Sequence, residues 1–140
     1  MRSMNANQRG KTMTSGDLSK LYREYLDCLN RQDWDSLHRY VSDDVRYNGK
    51  SVGLNGYRTM LIADFRAIPD LSFQIERLVC EPPMIASRLW FDCKPAAMLF
   101  DLPVNGKRVQ FSENVFYEIG AGKIQEVWSV IDKAAIAAQL

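Results

Sequence analysis

The apolar residues of this chain change period once, at Pro69, and that change limits the possible folds more than any other feature. Before it the spacing is helical. Leu18, Leu21, Tyr22, Tyr25, Leu26 and Leu29 recur on one stripe over residues 17–30, and Thr14 and Asp17 stand where a capping box would start the helix. A shorter helix is expected at 33–41, with Asp33 near its start, Trp34, Leu37 and Val41 on one side, and Ser42-Asp43-Asp44 ending it. A short strand, Val45 to Asn48, then leads into the Gly-rich stretch 49–56. A third helix at about 55–67 presents Tyr57, Leu61, Ile62 and Phe65.

After Pro69 the residues alternate. Leu71, Phe73, Ile75 and Val79 mark one face of a strand that stops at Pro82-Pro83. Over 84–94, Ile85, Ser87, Leu89 and Phe91 alternate with Ala86, Arg88, Trp90 and Asp92. A loop with the apolar centre Met98-Leu99-Phe100 follows. Asn105-Gly106 turns the chain into a strand at about 107–119, and Gly120-Ala121-Gly122 turns it again into one at 123–131. Asp132 is placed to cap a last helix, Lys133 to Leu140. Helices first and a meander of long strands after them is the order of an α+β domain, with the helices on one side of an antiparallel sheet.

The 140 residues suit one domain. Residues 1–15 are polar and are expected to be a disordered extension, with the domain occupying 16–140. Eighteen Lys and Arg against 17 Asp and Glu leave no field to draw nucleic acid or an anionic membrane, and no segment approaches the ~20 apolar residues of a membrane span. Cys28, Cys80 and Cys93 have neither zinc nor redox spacing, so reduced thiols in a cytoplasmic protein are expected. His38 has no second histidine to share a metal, and 49–56 lacks the order of a phosphate-binding loop. No metal or organic cofactor is expected.

Three segments carry a resemblance. Phe65-Arg66-Ala67-Ile68-Pro69-Asp70-Leu71-Ser72-Phe73, Leu102-Pro103-Val104-Asn105-Gly106-Lys107-Arg108-Val109 and Gly122-Lys123-Ile124-Gln125-Glu126-Val127-Trp128 follow one another in the order and spacing of SnoaL-like polyketide (ester) cyclases, from about Leu18 to Ile136. The resemblance implies the cystatin-like or nuclear-transport-factor-2-like roll, in which a curved antiparallel sheet and three helices form a cone around a cavity. It also implies a homodimer, and intramolecular aldol chemistry without metal or cofactor, run by an Asp assisted by a His. Here Ser129 stands at the family's Asp position, Val115 at its His position, and Asn48 where relatives often carry His. The acid–base pair is absent, and the cyclase activity does not transfer with the resemblance.

Removing a proton beside a carbonyl needs a base and a group that stabilises the enolate. Glu113 is the candidate base, because it interrupts the apolar row Val109, Phe111, Val115, Tyr117, Ile119, where desolvation would raise its pKa. The alternative is a rim position, or an ion pair with an inward Arg such as Arg77. Tyr25, Asn48, Leu89, Val115 and Ser129 are the candidate pocket residues around Glu113, with Met98-Leu99-Phe100 as a lid. Tyr22 and Tyr25 serve equally as core, and Arg88, Trp90 and Asp92 as pocket or interface. Large residues on both faces of the strands, such as Trp90 and Trp128, lead to the expectation of a homodimer through the sheet's outer face. Three functions stay open. One is a pocket protein for a small apolar, carbonyl-containing ligand; another is a cofactor-free cyclase or isomerase using Glu113; the third is a dimeric interaction module.

Overall fold

The computed structural model describes residues 12–140. The expected disorder of residues 1–11 lies outside them, whereas Thr14 and Ser15 already belong to the first helix start. That helix, α1 (Ser15–Asn30), begins with the expected capping box: the Thr14 hydroxyl accepts from the Asp17 amide and the Asp17 carboxylate from the Thr14 amide. Its stripe of Leu18, Tyr22, Tyr25, Leu26 and Leu29 is buried. The second helix is a single 3₁₀ segment, Trp34–Arg39, and strand β1 (Val41–Tyr47) starts at once, four residues earlier than expected. Ser42-Asp43-Asp44 therefore lies inside a strand, where its polar residues accompany a break in register between Val41 and Arg46. After the two-residue β2 (Lys50–Ser51) comes α2 (Gly53–Ala67).

The strands after Pro69 are β3 (Gln74–Glu81), β4 (Met84–Cys93), a small hairpin β5 (Met98–Leu99) and β6 (Leu102–Pro103), β7 (Val109–Gly120) and β8 (Lys123–Ile131), followed by α3 (Lys133–Ala138). The main sheet runs β2-β1-β8-β7-β4-β3, curved, with the helices packed against it. It is mixed and not wholly antiparallel as expected, because β1 lies parallel to β8. That pairing joins strands some 80 residues apart, which local periodicity does not encode.

The alternation holds through β4 and, except at Ser112, which is buried on the opposite row, through β7: Ile85, Ser87, Leu89, Phe91 and Cys93 face the same buried side as Val109, Phe111, Val115, Tyr117 and Ile119. In β3 it fails. A bulge between Ile75 and Arg77 shifts the pleat, so Leu78 and Cys80 turn to the half-buried side while Val79 is 62% exposed. The turns on either side of β7 each put two residues in the left-handed region (Asn105 at φ 52° with Gly106 at 81°, Ala121 at 51° with Gly122 at 75°), and the second of them is a true hairpin, closing β7 onto β8 through Ala121-Gly122. This is the twist that two-residue connections between antiparallel strands require.

Beyond Ile131 the chain leaves the sheet, and the first residues of β7 lose their β8 partner. Helix α3, capped as expected by Asp132 accepting from the Ala135 amide, lies along that edge and buries Ile136. Its following residue Gln139 replaces the missing strand: its side chain accepts from the Gln110 amide and donates to the Gln110 carbonyl.

Candidate functional site

Between the helices and the buried face of the sheet the core is not filled. An outer chamber of about 210 Å³ is lined by Ile68, Leu71, Phe91, Phe100, Phe111 and Ile131, among others. A smaller inner one, about 50 Å³, is walled by Tyr25, Tyr57, Leu89, Val115 and Tyr117. Five residues line both: Tyr47, Met60, Asp64, Phe73 and Glu113. Two carboxylates thus stand where the chambers meet.

Glu113 arrives from the centre of β7, opposite Leu89 on β4 and Ile131 on β8. Its partner is a hydroxyl: Ser129 donates to Glu113 Oε2. No described cation pairs with it, and Arg77, the alternative considered from sequence, is exposed on β3. Burial pushes the Glu113 carboxyl above its ordinary value, and the Ser129 hydrogen bond offsets part of that rise. Asp64 comes from α2. Solvent reaches its carboxylate through the mouth of the cavity, yet protein surrounds the rest of it, and burial followed by the charge of Glu113 raises it to about 7. Two acids near neutrality in one cavity can divide the roles of proton donor and acceptor.

Around them stand phenols. Tyr25 and Tyr57 share a hydrogen bond of 2.6 Å, and burial raises the pKa of both. Burial also raises Tyr47, with the Glu113 charge contributing. Tyr22 is committed elsewhere: its hydroxyl donates to Ser87 at 2.8 Å and lies 3.2 Å from that of Tyr117, which satisfies the buried Ser87.

Of the candidates expected from sequence, Tyr25, Leu89, Val115 and Glu113 line the cavity. Ser129 and Asn48 do not; they stand behind Glu113. Asn48, with φ 48°, ends β1 and extends its side chain along β8, where Oδ1 accepts from the Ser129 amide at 2.8 Å and Nδ2 reaches the Ser129 carbonyl at 3.4 Å. This fixes the backbone of Ser129 and so the direction of its hydroxyl. The apolar loop is a folded hairpin: Leu99 is buried, Phe100 lines the outer chamber edge-on to Phe111 at 6.5 Å, and Met98 is exposed. Arg88, Trp90 and Asp92 face outward, where Arg88 pairs with Glu76 at 2.9 Å and Arg108 with Asp92.

Sequence reasoning passed over Asp64, Tyr47 and Phe73. Asp64 had a signal: it lies seven residues after Tyr57 and three after Leu61, a carboxylate at helical spacing from the buried stripe of α2 and at its exposed margin. Phe73 is held by Asn30, whose side chain accepts from its amide at 2.8 Å and donates to its carbonyl at 3.0 Å, a link across 43 residues with no local trace.

No group of three or more His, Cys, Asp or Glu gathers among the described residues, and all three cysteines are free thiols. No described helix is long and apolar enough to cross a membrane.

A curved mixed sheet with helices packed against it over an unfilled core defines an α+β class of fold. Within it, the chain belongs to the SnoaL-like polyketide cyclase family, whose model matches residues 19–140. A SnoaL-like polyketide cyclase from Agrobacterium tumefaciens strain C58 is 51% identical, with a TM-score of 0.86 over 91% of this chain and 98% of that one. TsrD from Streptomyces laurentii has the same fold at 20% identity, with a TM-score of 0.81 over 91% of this chain and 97% of its own. None of the curated proteins matches the chain.

Proposed function

We propose that this protein performs cofactor-free acid–base chemistry of the cyclase or isomerase type on a small, largely apolar carbonyl compound. The observation that carries the reading is the Glu113 carboxylate, lining a cavity with no cation beside it and only a serine hydroxyl to hold it. A carboxylate kept for stability would be paired or solvated, because an unpaired buried charge destabilises the fold. Glu113 abstracts the proton next to the carbonyl, and Asp64, with a raised pKa that keeps a fraction of it protonated near neutral pH, supplies one to the forming enolate. The pair Glu113–Asp64 does this work in a chain that has Ser129 and Val115 at the family's Asp and His positions. Ser129 and Asn48 are positioning residues.

The phenylalanine-walled outer chamber supports a second reading, a carrier that binds the same apolar carbonyl compound without turning it over. An interaction module alone would have no use for an unfilled core with two acids in it. In either case the convex sheet face, with Phe116 and Trp128 exposed side by side, meets a second copy of the chain. The three free thiols accord with a cytoplasmic setting.

The test is α-proton exchange of phenylacetone in D₂O, followed by NMR. Exchange on the order of a hundred-fold or more above the buffer rate is expected for the wild type, and its loss in Glu113→Gln. Binding of the ketone without exchange would favour the carrier reading.

A further inference from the structure

The cavity is uneven in charge. Across its two chambers the lining residues include two carboxylates, four phenols and no lysine, arginine or histidine. The titratable groups lining the cavity with Glu113 and Asp64 come from four elements, Tyr25 from α1, Tyr47 from β1, Tyr57 from α2 and Tyr117 from β7 beside Glu113 itself, while β4 and β8 contribute only apolar side chains. All four are acids. Among the described residues, no cation lines either chamber, and those nearby have partners of their own, Lys133 on a ring that itself lines the outer chamber. Arg46 pairs with Glu126, Arg58 donates to the Trp34 carbonyl and Asn55, and the Lys133 ammonium lies over the Phe100 ring at 5.3 Å.

The shape is uneven as well. The outer chamber, about 210 Å³, is apolar and ringed by Phe73, Phe91, Phe100 and Phe111, which suits a hydrocarbon ring. The inner one, about 50 Å³, admits only a small group, and it is reached past Asp64, Glu113, Tyr47 and Phe73. A ring seated among the phenylalanines would therefore place its polar end between the two carboxylates, with the faces of Tyr47 and Phe73 beside it. Carboxylates and aromatic faces both attract a cation, and both repel an anion brought out of water.

We infer that the site selects its ligand by charge, taking, among compact ring carbonyl compounds, one with a protonated nitrogen at its polar end over a neutral one and rejecting carboxylates. This rests on the reading of the cavity as the functional site and names the ligand class it would take. The cation supplies the charge that the protein withholds from Asp64 and Glu113, so its binding favours their ionised forms and releases whatever protons they carry in the empty cavity. The raised pKa of both acids in the empty cavity accords with that coupling.

Three probes of nearly equal shape test it: benzylamine, benzyl alcohol and benzoate, titrated into the full chain by calorimetry near pH 7.5. Benzylamine is expected to bind at least ten-fold more tightly than benzyl alcohol, and benzoate at least ten-fold more weakly than either. Its heat of binding should differ between phosphate and Tris, as proton release requires. In Asp64→Asn/Glu113→Gln the three affinities should converge to within about three-fold. If that double variant does not fold, Asp64→Asn alone, at the solvent-reached mouth, should cut the amine's advantage. Equal affinities in the wild type, preference for benzoate, an advantage that survives the substitutions, or no binding of any probe at millimolar concentration would overturn the inference. These are equilibrium measurements, so the charge series fails or succeeds independently of proton exchange.

Discussion

The two faces of the sheet treat charge in opposite ways, although the same strands build both. On the convex face each acid of β3 and β4 that takes part in an ion pair has an arginine: Glu76 meets Arg88 at 2.9 Å, and Asp92 takes two hydrogen bonds from Arg108 and one from Gln110. On the concave face Glu113 has only the Ser129 hydroxyl, and Asp64, on the helix α2 that lines the same cavity, has a like charge for company. The Asp92 carboxyl is accordingly held down to about 2 by Arg108, whereas Asp64 is pushed up to about 7. These outer charges are neutralised by arginines of the fold, and the charge inside is left for something the fold does not contain. Apolar surface shows the reverse. Inside it is covered; outside, Phe116, Trp128 and Val130 stand 55%, 47% and 69% exposed on adjacent strands.

The largest effect should come from that exposed apolar patch. Phe116 and Trp128 lie opposite each other in the β7–β8 register, so one charged substitution there spoils a self-complementary surface. Wild type is expected to sediment as a dimer at micromolar concentration and Phe116→Arg as a monomer with an unchanged circular dichroism spectrum. A monomeric wild type would remove the second copy and leave the convex patch without an assigned partner.

The next effect is on pH dependence, and here the two faces predict opposite slopes. A raised carboxyl binds more protons folded than unfolded, so Asp64 and Glu113 favour folding at low pH, and their contribution falls as pH rises from about 4 through about 7. A lowered carboxyl does the reverse: Asp92 contributes above its unfolded value of 3.8 and loses that as pH drops toward about 2. The melting temperature should therefore peak on the acid side and decline toward neutrality by a few degrees. Asp64→Asn should flatten the decline between pH 4 and 7, and Asp92→Asn the loss below pH 4. A decline that Asp64→Asn does not alter would place the titrating group elsewhere.

This asymmetry also decides what could be read before the structure. The alternation in β4 and β7 placed Glu113 on the covered face because a pleat is a local property, and the helix caps at Thr14 and Asp132 are local too. The bulge after Ile75, which turns Val79 outward, leaves no mark on composition. The pairing of β1 with β8, which brings Asn48 and then Ser129 behind Glu113, depends on contacts some 80 residues apart. Asp64 was legible in principle, since an acid at helical spacing from Tyr57 and Leu61 marks the edge of the buried stripe.

The smallest effect separates the faces most directly, because it compares one substitution made twice. Glu76→Gln removes one half of a pair whose two side chains are each 40% exposed, so the loss is at most about 1 kcal/mol, and high salt should erase it. Glu113→Gln keeps the shape and an oxygen for the Ser129 hydroxyl while removing a desolvated charge, so melting at pH 8 should stay level or rise. The two variants thus move in opposite directions, and measuring both against salt controls for any general effect of deleting a carboxylate. A fall of about 3–5 kcal/mol for Glu113→Gln would be the signature of a cation left uncompensated in the core, and would make Glu113 a structural partner instead of the base.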